Sequence, residues 1–163
     1  MAQLVRSGRS AALVVPELSP HQSRAQPGAL ANPGGLARLL DEVFAASAVP
    51  LPGWSAAALQ RVVLVCHSGA YRVAAALLAG AAGVVIHEVI LLDALYGDEE
   101  VFAAHLARDP SAYVDPLGEG GQRLVVLYGG STAERSRALF RAGRAALARV
   151  VPDERLRHDD HAA

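Results

Sequence analysis

Short apolar runs, rich in β-branched residues, alternate along this chain with longer segments whose apolar residues recur at helical spacing. The runs lie at residues 11–15, 61–66, 84–92 and 123–128. Continuous apolar runs are typical of parallel strands, because crossover helices cover such a sheet on both faces. The order β-α-β-α-β-α-β-α therefore predicts an α/β fold, a three-layer sandwich with a mostly parallel sheet.

The segments between the runs carry the signals of helices. We predict helices at residues 35–47, 70–79, 99–108 and 131–150. The last begins with Ser131-x-x-Glu134, a capping-box pattern in which two side chains satisfy free backbone N–H groups. A length of 163 residues fits one domain. We therefore predict a single α/β domain over residues 1–150 and a polar C-terminal tail over residues 151–163.

The composition excludes several kinds of chemistry. All 15 basic residues are arginine, so there is no P-loop lysine and no Schiff-base lysine. The single cysteine, Cys66, excludes an internal disulfide and a multi-cysteine zinc site. A formal net charge of −1 provides no electrostatic footprint for nucleic acid. We expect no cofactor, no metal and no nucleic-acid partner.

The apolar stretches of the sequence are short. The longest, residues 73–86, falls below the roughly 20 residues that cross a bilayer, and two glycines interrupt it. The run at residues 11–15 is too short for the core of a secretory signal peptide. We therefore expect a cytoplasmic protein without a membrane partner.

One strand end resembles the strand-turn-helix elbow that presents a nucleophilic serine. Sites in open parallel sheets form at the carboxyl ends of strands, and the run at residues 61–66 ends in Cys-His-Ser-Gly-Ala. Ser68 takes the apex, with the small residues Cys66 and Ala70 two positions to either side. The N–H of Gly69, which follows the apex, is placed to stabilise an oxyanion.

A nucleophilic serine needs a base and an acid that orients the base. Asp93 ends the next predicted strand, so it projects from the same sheet edge as Ser68. Two histidines remain near the C-terminus, His158 and His161. The chain order Ser, Asp, His is the one usual for nucleophile-elbow hydrolases.

The same segment also fits a phosphate loop. Cys66, Gly69 and Arg72 match the spacing C-x-x-G-x-x-R, in which backbone N–H groups and an arginine hold an anion against a thiolate. A cysteine phosphatase or a sulfurtransferase is therefore the alternative enzyme class. It requires a reactive Cys66 thiolate, whereas the apolar run places Cys66 inside a strand.

Three segments together resemble a group of bacterial α/β-hydrolase-like proteins: VLVCHSGAYRVAAALLAG, VILLDALYGDEEVF and LVVLYGGSTAERS. The similarity extends over about residues 7–137. It implies an esterase-like or amidase-like serine hydrolase acting on a small molecule, with Ser68 as nucleophile and Asp93 as acid. The late histidine of that group best matches His158, with His161 as the alternative.

Members of that group also carry further N-terminal strands and a closing C-terminal helix, and this sequence lacks both. In that group a His-Gly loop in the N-terminal region supplies the second oxyanion N–H. A third interpretation is therefore a non-catalytic protein that keeps the α/β-hydrolase-like core. We expect an exposed sheet edge where those strands would pair, and a homodimer formed with a second copy through that edge.

Overall fold

A computed structural model describes residues 11–18, 26–47, 52–115, 118 and 120–151, together with residues 6 and 8. The strands are β1 (Val63–His67), β2 (Glu88–Leu92) and β3 (Arg123–Leu127). The α-helices with described bounds are α1 (Gly35–Ala45), α2 (Tyr71–Ala76), α3 (Glu99–Arg108) and α4 (Ala133–Leu147). A π-helical turn, Leu77–Ala81, continues α2, and a 3₁₀ turn, Gly130–Thr132, precedes α4. No helix in the described ranges is long and apolar enough to cross a membrane.

The α/β class predicted from the sequence is confirmed. The three strands form one parallel sheet in the order β1-β2-β3, with β2 in the centre. In the register, Val65 lies beside Ile90, and Ile90 lies beside Val125. β2 and β3 lie inside the predicted runs, and the bounds of β1 differ from its run by at most two residues. The bounds of α3 are those predicted. The sheet therefore brings three carboxyl ends to one edge.

The helices form a layer on one face of the sheet. Alternate strand residues point into this layer, and Val89 and Leu91 of the central strand are almost fully buried there. The π-helical turn after α2 contacts both α1 and α3, and α3 packs against α4, so the layer is continuous. Phe102 of α3 and Leu95, which follows β2, are fully buried in the same core.

The opposite face of the sheet is uncovered in the part of the chain that the structure describes. Val63 and Val65 of β1 are 43% and 60% exposed, and Leu127 of β3 is 60% exposed. The predicted three-layer sandwich is thus a two-layer arrangement over these residues. The continuous apolar runs suggested two covered faces, but a strand with one uncovered apolar face has the same sequence pattern.

The predicted strand at residues 11–15 is wrong in the structure. Residues 11–18 form neither a strand nor a helix, and Leu13 and Val15 are 57% and 80% exposed. Val14 and Leu18 are the residues of this segment that pack against the core. β propensity alone does not make a strand, because an extended segment also needs a hydrogen-bonding neighbour.

At the amino ends of the strands, a buried carboxylate joins all three. Glu88 of β2 is 6% exposed and accepts a hydrogen bond from Arg123 Nε of β3 at 2.7 Å, and a second from Arg123 Nη2. Arg61, just before β1, lies 3.8 Å away on the other side. Pairing with two arginines is what permits a carboxylate to be buried at this edge.

The burial pattern predicts which leucine of the sheet supports the fold. We expect Leu91→Ala, at a fully buried position, to lower the free energy of unfolding by about 2–5 kcal/mol, because it removes apolar contacts and leaves a cavity. The matched control is Leu127→Ala at the exposed face, with an expected change within roughly 0.5 kcal/mol. Urea unfolding measures both. Equal losses in the two variants would contradict the one-sided packing.

Candidate functional site

The polar residues that follow the three strands meet at the carboxyl edge of the sheet. Ser68 follows β1, Asp93 follows β2, and Gly129 lies two residues after β3. The backbone N–H of Asp93 donates to the carbonyl of Leu127 at 2.7 Å, which continues the pairing of β2 and β3 by one residue. This edge is where parallel sheets form their sites.

Ser68 lies in a strained turn between β1 and α2. Its φ is +52°, in the left-handed region that an L-residue with a side chain adopts at a cost of about 1–2 kcal/mol. A 3₁₀ turn, Ser68–Ala70, leads directly into α2, and the serine is half-buried. A serine at a sharp, strained strand-to-helix turn is the geometry of a nucleophile elbow. The sequence-predicted apex is thus at such a turn.

Asp93 is strained as well, with φ +43°. Its Oδ1 accepts hydrogen bonds from the Thr132 hydroxyl at 2.5 Å and from the Gly129 N–H at 3.0 Å. Its Oδ2 accepts one from the Tyr96 hydroxyl at 3.2 Å, and that hydroxyl also lies 3.5 Å from Ser131 Oγ. The donors therefore hold the carboxylate in a fixed orientation at the ends of β2 and β3.

These hydrogen bonds lower the pKa of Asp93. The Thr132 hydroxyl has the largest effect and the Gly129 N–H the next, while partial desolvation opposes them. Tyr96 and the charge of His67 lower the pKa further. Asp93 is therefore an anion at neutral pH, as an orienting acid must be.

Cys66 has the opposite environment. Its side chain points into the core, is 6% exposed, and burial raises the pKa of the thiol to about 11. The thiol is therefore protonated at neutral pH. Arg72, the other member of the phosphate-loop pattern, donates from Nε to the hydroxyl of its neighbour Tyr71 at 3.2 Å. The environment of this edge favours Ser68 over Cys66 as a nucleophile.

The two predicted bases, His158 and His161, lie outside the described residues. His67, which ends β1 beside Leu92, is exposed at the same edge and contributes electrostatically to the low pKa of Asp93. From its place beside Ser68 in the sequence, His67 is expected to pack or to face a substrate rather than to act as a base.

The end of the last predicted strand, Tyr128-Gly129-Gly130, is expected at the edge that holds a site, but neither Gly129 nor Thr132 was predicted as a donor to Asp93 Oδ1. A signal for them exists: both follow β3, so their segment must reach the same edge as Asp93. The segment was interpreted instead as a capping box, Ser131-x-x-Glu134, which gives Thr132 no role. In the structure α4 begins at Ala133, and its cap residue Thr132 makes no side-chain capping bond.

Two cavities lie at the amino ends of the strands, away from this edge. They measure about 320 and 440 Å³; one is lined in part by Gln60 and His87, the other by His105 and Arg108. Neither lining includes Ser68 or Asp93. Over the described residues, no group of three or more His, Cys, Asp or Glu side chains is arranged to hold a metal ion.

The low pKa of Asp93 predicts a contribution to the pH dependence of stability. A carboxyl with a lower pKa when folded stabilises the protein above its unfolded pKa, and this contribution disappears as pH falls through the folded value. We therefore expect Asp93→Asn to lose less stability than wild type when the pH is lowered from 5 to 3. Urea unfolding at each pH measures this.

The matched control for that experiment is Glu100→Gln, which removes an exposed carboxylate from the first turn of α3. If Asp93→Asn loses as much stability on acidification as Glu100→Gln and wild type, Asp93 is not held as the structure shows.

No protein-family model, no curated protein and no solved structure matches the chain. The residues that the structure places at the carboxyl edge are a strained serine, a carboxylate held by three donors and an exposed histidine.

Proposed function

We propose that the protein is a serine hydrolase with an α/β-hydrolase-like core, which cleaves a small ester or amide through an acyl-Ser68 intermediate. The observation that carries the proposal is the φ of +52° at Ser68, at a strand-to-helix turn on the sheet edge that holds an anionic Asp93. Backbone strain of this kind persists where the surrounding structure enforces it, and such residues cluster at active sites.

The proposed reaction has two steps. Ser68 Oγ attacks the substrate carbonyl while an imidazole accepts its proton, and the Gly69 N–H stabilises the oxyanion that forms. The imidazolium then gives the proton to the leaving alcohol or amine, which leaves an acyl-serine ester. Water attacks this ester with the imidazole again as base, and the acid product and free serine are released.

Asp93 orients and stabilises the imidazolium in this scheme. Its Oδ2 has a single described donor, the Tyr96 hydroxyl at 3.2 Å, so it has capacity to accept an imidazole N–H. We assign the imidazole to His158, with His161 as the alternative, on the chain order Ser, Asp, His. His67, already at the edge, is the competing candidate.

Active-site labelling tests the nucleophile. We expect a fluorophosphonate to modify wild-type protein at one site and to leave Ser68→Ala unmodified, because the probe reacts with an activated serine hydroxyl. The control at the same edge is Ser131→Ala, which should label as wild type does. Cys66→Ala should also label normally. Labelling that survives Ser68→Ala, or that depends on Cys66, would exclude the proposal.

The same assay separates the candidate bases. We expect His158→Ala to reduce the labelling rate by roughly 10³-fold or more, because the base of a triad is needed to activate its serine. His161→Ala and His67→Ala remove the two alternative bases, and with His158 as the base both should change the rate little. A large loss of labelling rate in His67→Ala alone would identify His67, at the end of β1, as the base.

We also propose that two copies associate through β1. Over the described residues this strand is an edge of the sheet, and its sequence VLVCH lacks the arginine, acidic residues or proline that protect edge strands from pairing. An antiparallel twofold pair sets Val65 opposite itself, so the surface is self-complementary. β3, the other edge, begins with Arg123. The dimer would extend the uncovered apolar face across six strands.

Sedimentation tests the dimer. We expect wild-type protein to dimerise with rising concentration and Val65→Lys to remain monomeric, because the added charge lies at the paired edge. Leu127→Lys, at an equally exposed position on the other edge strand, is the matched control and should still dimerise. Wild-type protein that stays monomeric up to its solubility limit contradicts the pairing.

A further inference from the structure

We infer that Thr132 is a positioning residue: its hydroxyl fixes Asp93 Oδ1 and thereby makes Oδ2 the oxygen that accepts the imidazole N–H. The inference rests on the proposed hydrolase function for its catalytic meaning. The arrangement of the carboxylate itself does not depend on that function.

The two oxygens of Asp93 have different surroundings. Oδ1 receives the Thr132 hydroxyl at 2.5 Å and the Gly129 N–H at 3.0 Å. Two donors use the hydrogen-bonding capacity of one carboxylate oxygen. Oδ2 receives the longer bond of 3.2 Å from Tyr96, whose side chain is 41% exposed. An arriving imidazole therefore finds its acceptor at Oδ2.

The side chain of Thr132 has little freedom to leave this position. Its side chain is fully buried, and β-branching limits rotation about χ1. The hydroxyl has one hydrogen, and the Gly129 carbonyl, at 3.4 Å, is a more distant acceptor than Asp93 Oδ1. The hydrogen therefore goes to the charged oxygen, which forms the stronger bond.

A role for Thr132 in helix capping alone does not account for this geometry. Thr132 occupies the cap position of α4, where a threonine oxygen would normally accept a bond from a backbone N–H of the first turn. No such side-chain bond is made. The hydroxyl is directed to the end of the neighbouring strand β2, across 39 residues of sequence.

Three variants separate positioning from a structural role. Thr132→Val keeps the shape and removes the hydroxyl, Thr132→Ser keeps the hydroxyl, and Ser136→Ala is the matched control. Ser136 is buried on the same helix, and its Oγ has no hydrogen-bond partner among the described residues. Thermal unfolding of each variant establishes that it folds, and Thr132→Ala replaces Thr132→Val if the latter does not.

Two measurements are made on each variant. In a ¹³C NMR titration we expect Thr132→Val to raise the pKa of the Asp93 carboxyl, while Thr132→Ser and Ser136→Ala leave it near the wild-type value. We also expect the fluorophosphonate labelling rate at Ser68 to fall by roughly 10- to 100-fold in Thr132→Val, because a misplaced orienting group misplaces the base. Thr132→Ser should restore the rate to within a few-fold of wild type.

The outcomes distinguish this inference from the proposed function. Wild-type protein that does not label at Ser68 overturns the hydrolase proposal, and the titration still decides whether Thr132 holds the carboxylate. An Asp93 pKa that is unchanged in Thr132→Val overturns the inference. So does a labelling rate that falls equally in Thr132→Val and Thr132→Ser, because the hydroxyl would then not be the group that matters.

Discussion

Parallel pairing on both sides of β2 is the constraint on which the rest of this structure depends. Because β1, β2 and β3 run in one direction, their carboxyl ends lie together, and residues far apart in sequence become neighbours. The hydrogen bond from Asp93 N–H to Leu127 extends this pairing to the residue that carries the carboxylate. A register slip of one residue would move the buried side chains of β2 to the uncovered face and take Asp93 away from Gly129.

The two ends of β2 hold carboxylates in opposite electrostatic settings. Glu88, at the amino end, is buried between two arginines, and its charge is neutralised within the fold. Asp93, at the carboxyl end, accepts its described hydrogen bonds from uncharged donors: a hydroxyl, a phenol and a backbone N–H. Such donors stabilise the anion without cancelling its charge. The Asp93 carboxylate can therefore still pair with a cation such as an imidazolium, whereas the Glu88 carboxylate is already paired with arginine.

The sequence pattern was sufficient to predict those strands and helices whose residues also find partners in the tertiary structure. The strands within residues 61–66, 84–92 and 123–128 and the helix Glu99–Arg108 were predicted because pattern and tertiary contacts agree there. Residues 11–15 have the same local pattern but no strand neighbour in the structure, and they remain outside the sheet. Because Ser68 and Asp93 each follow a predicted parallel strand, the sequence also predicted that they lie at one edge of the sheet. Thr132 was not predicted, because its place five residues after β3 puts it near the carboxyl edge but does not indicate that its hydroxyl bonds to Asp93, 39 residues earlier.

The choice between the two candidate nucleophiles follows from the pleat of β1 and its end. Cys66 is the last inward-pointing residue of the strand, so regular alternation directs its thiol into the core and raises its pKa to about 11. Regular alternation would direct residue 68 inward as well. The left-handed φ at Ser68 ends the strand at His67, so Ser68 leaves the pleat and is half-buried. The strained turn that costs stability is therefore also what leaves the serine half-buried at the edge, while the cysteine stays in the core.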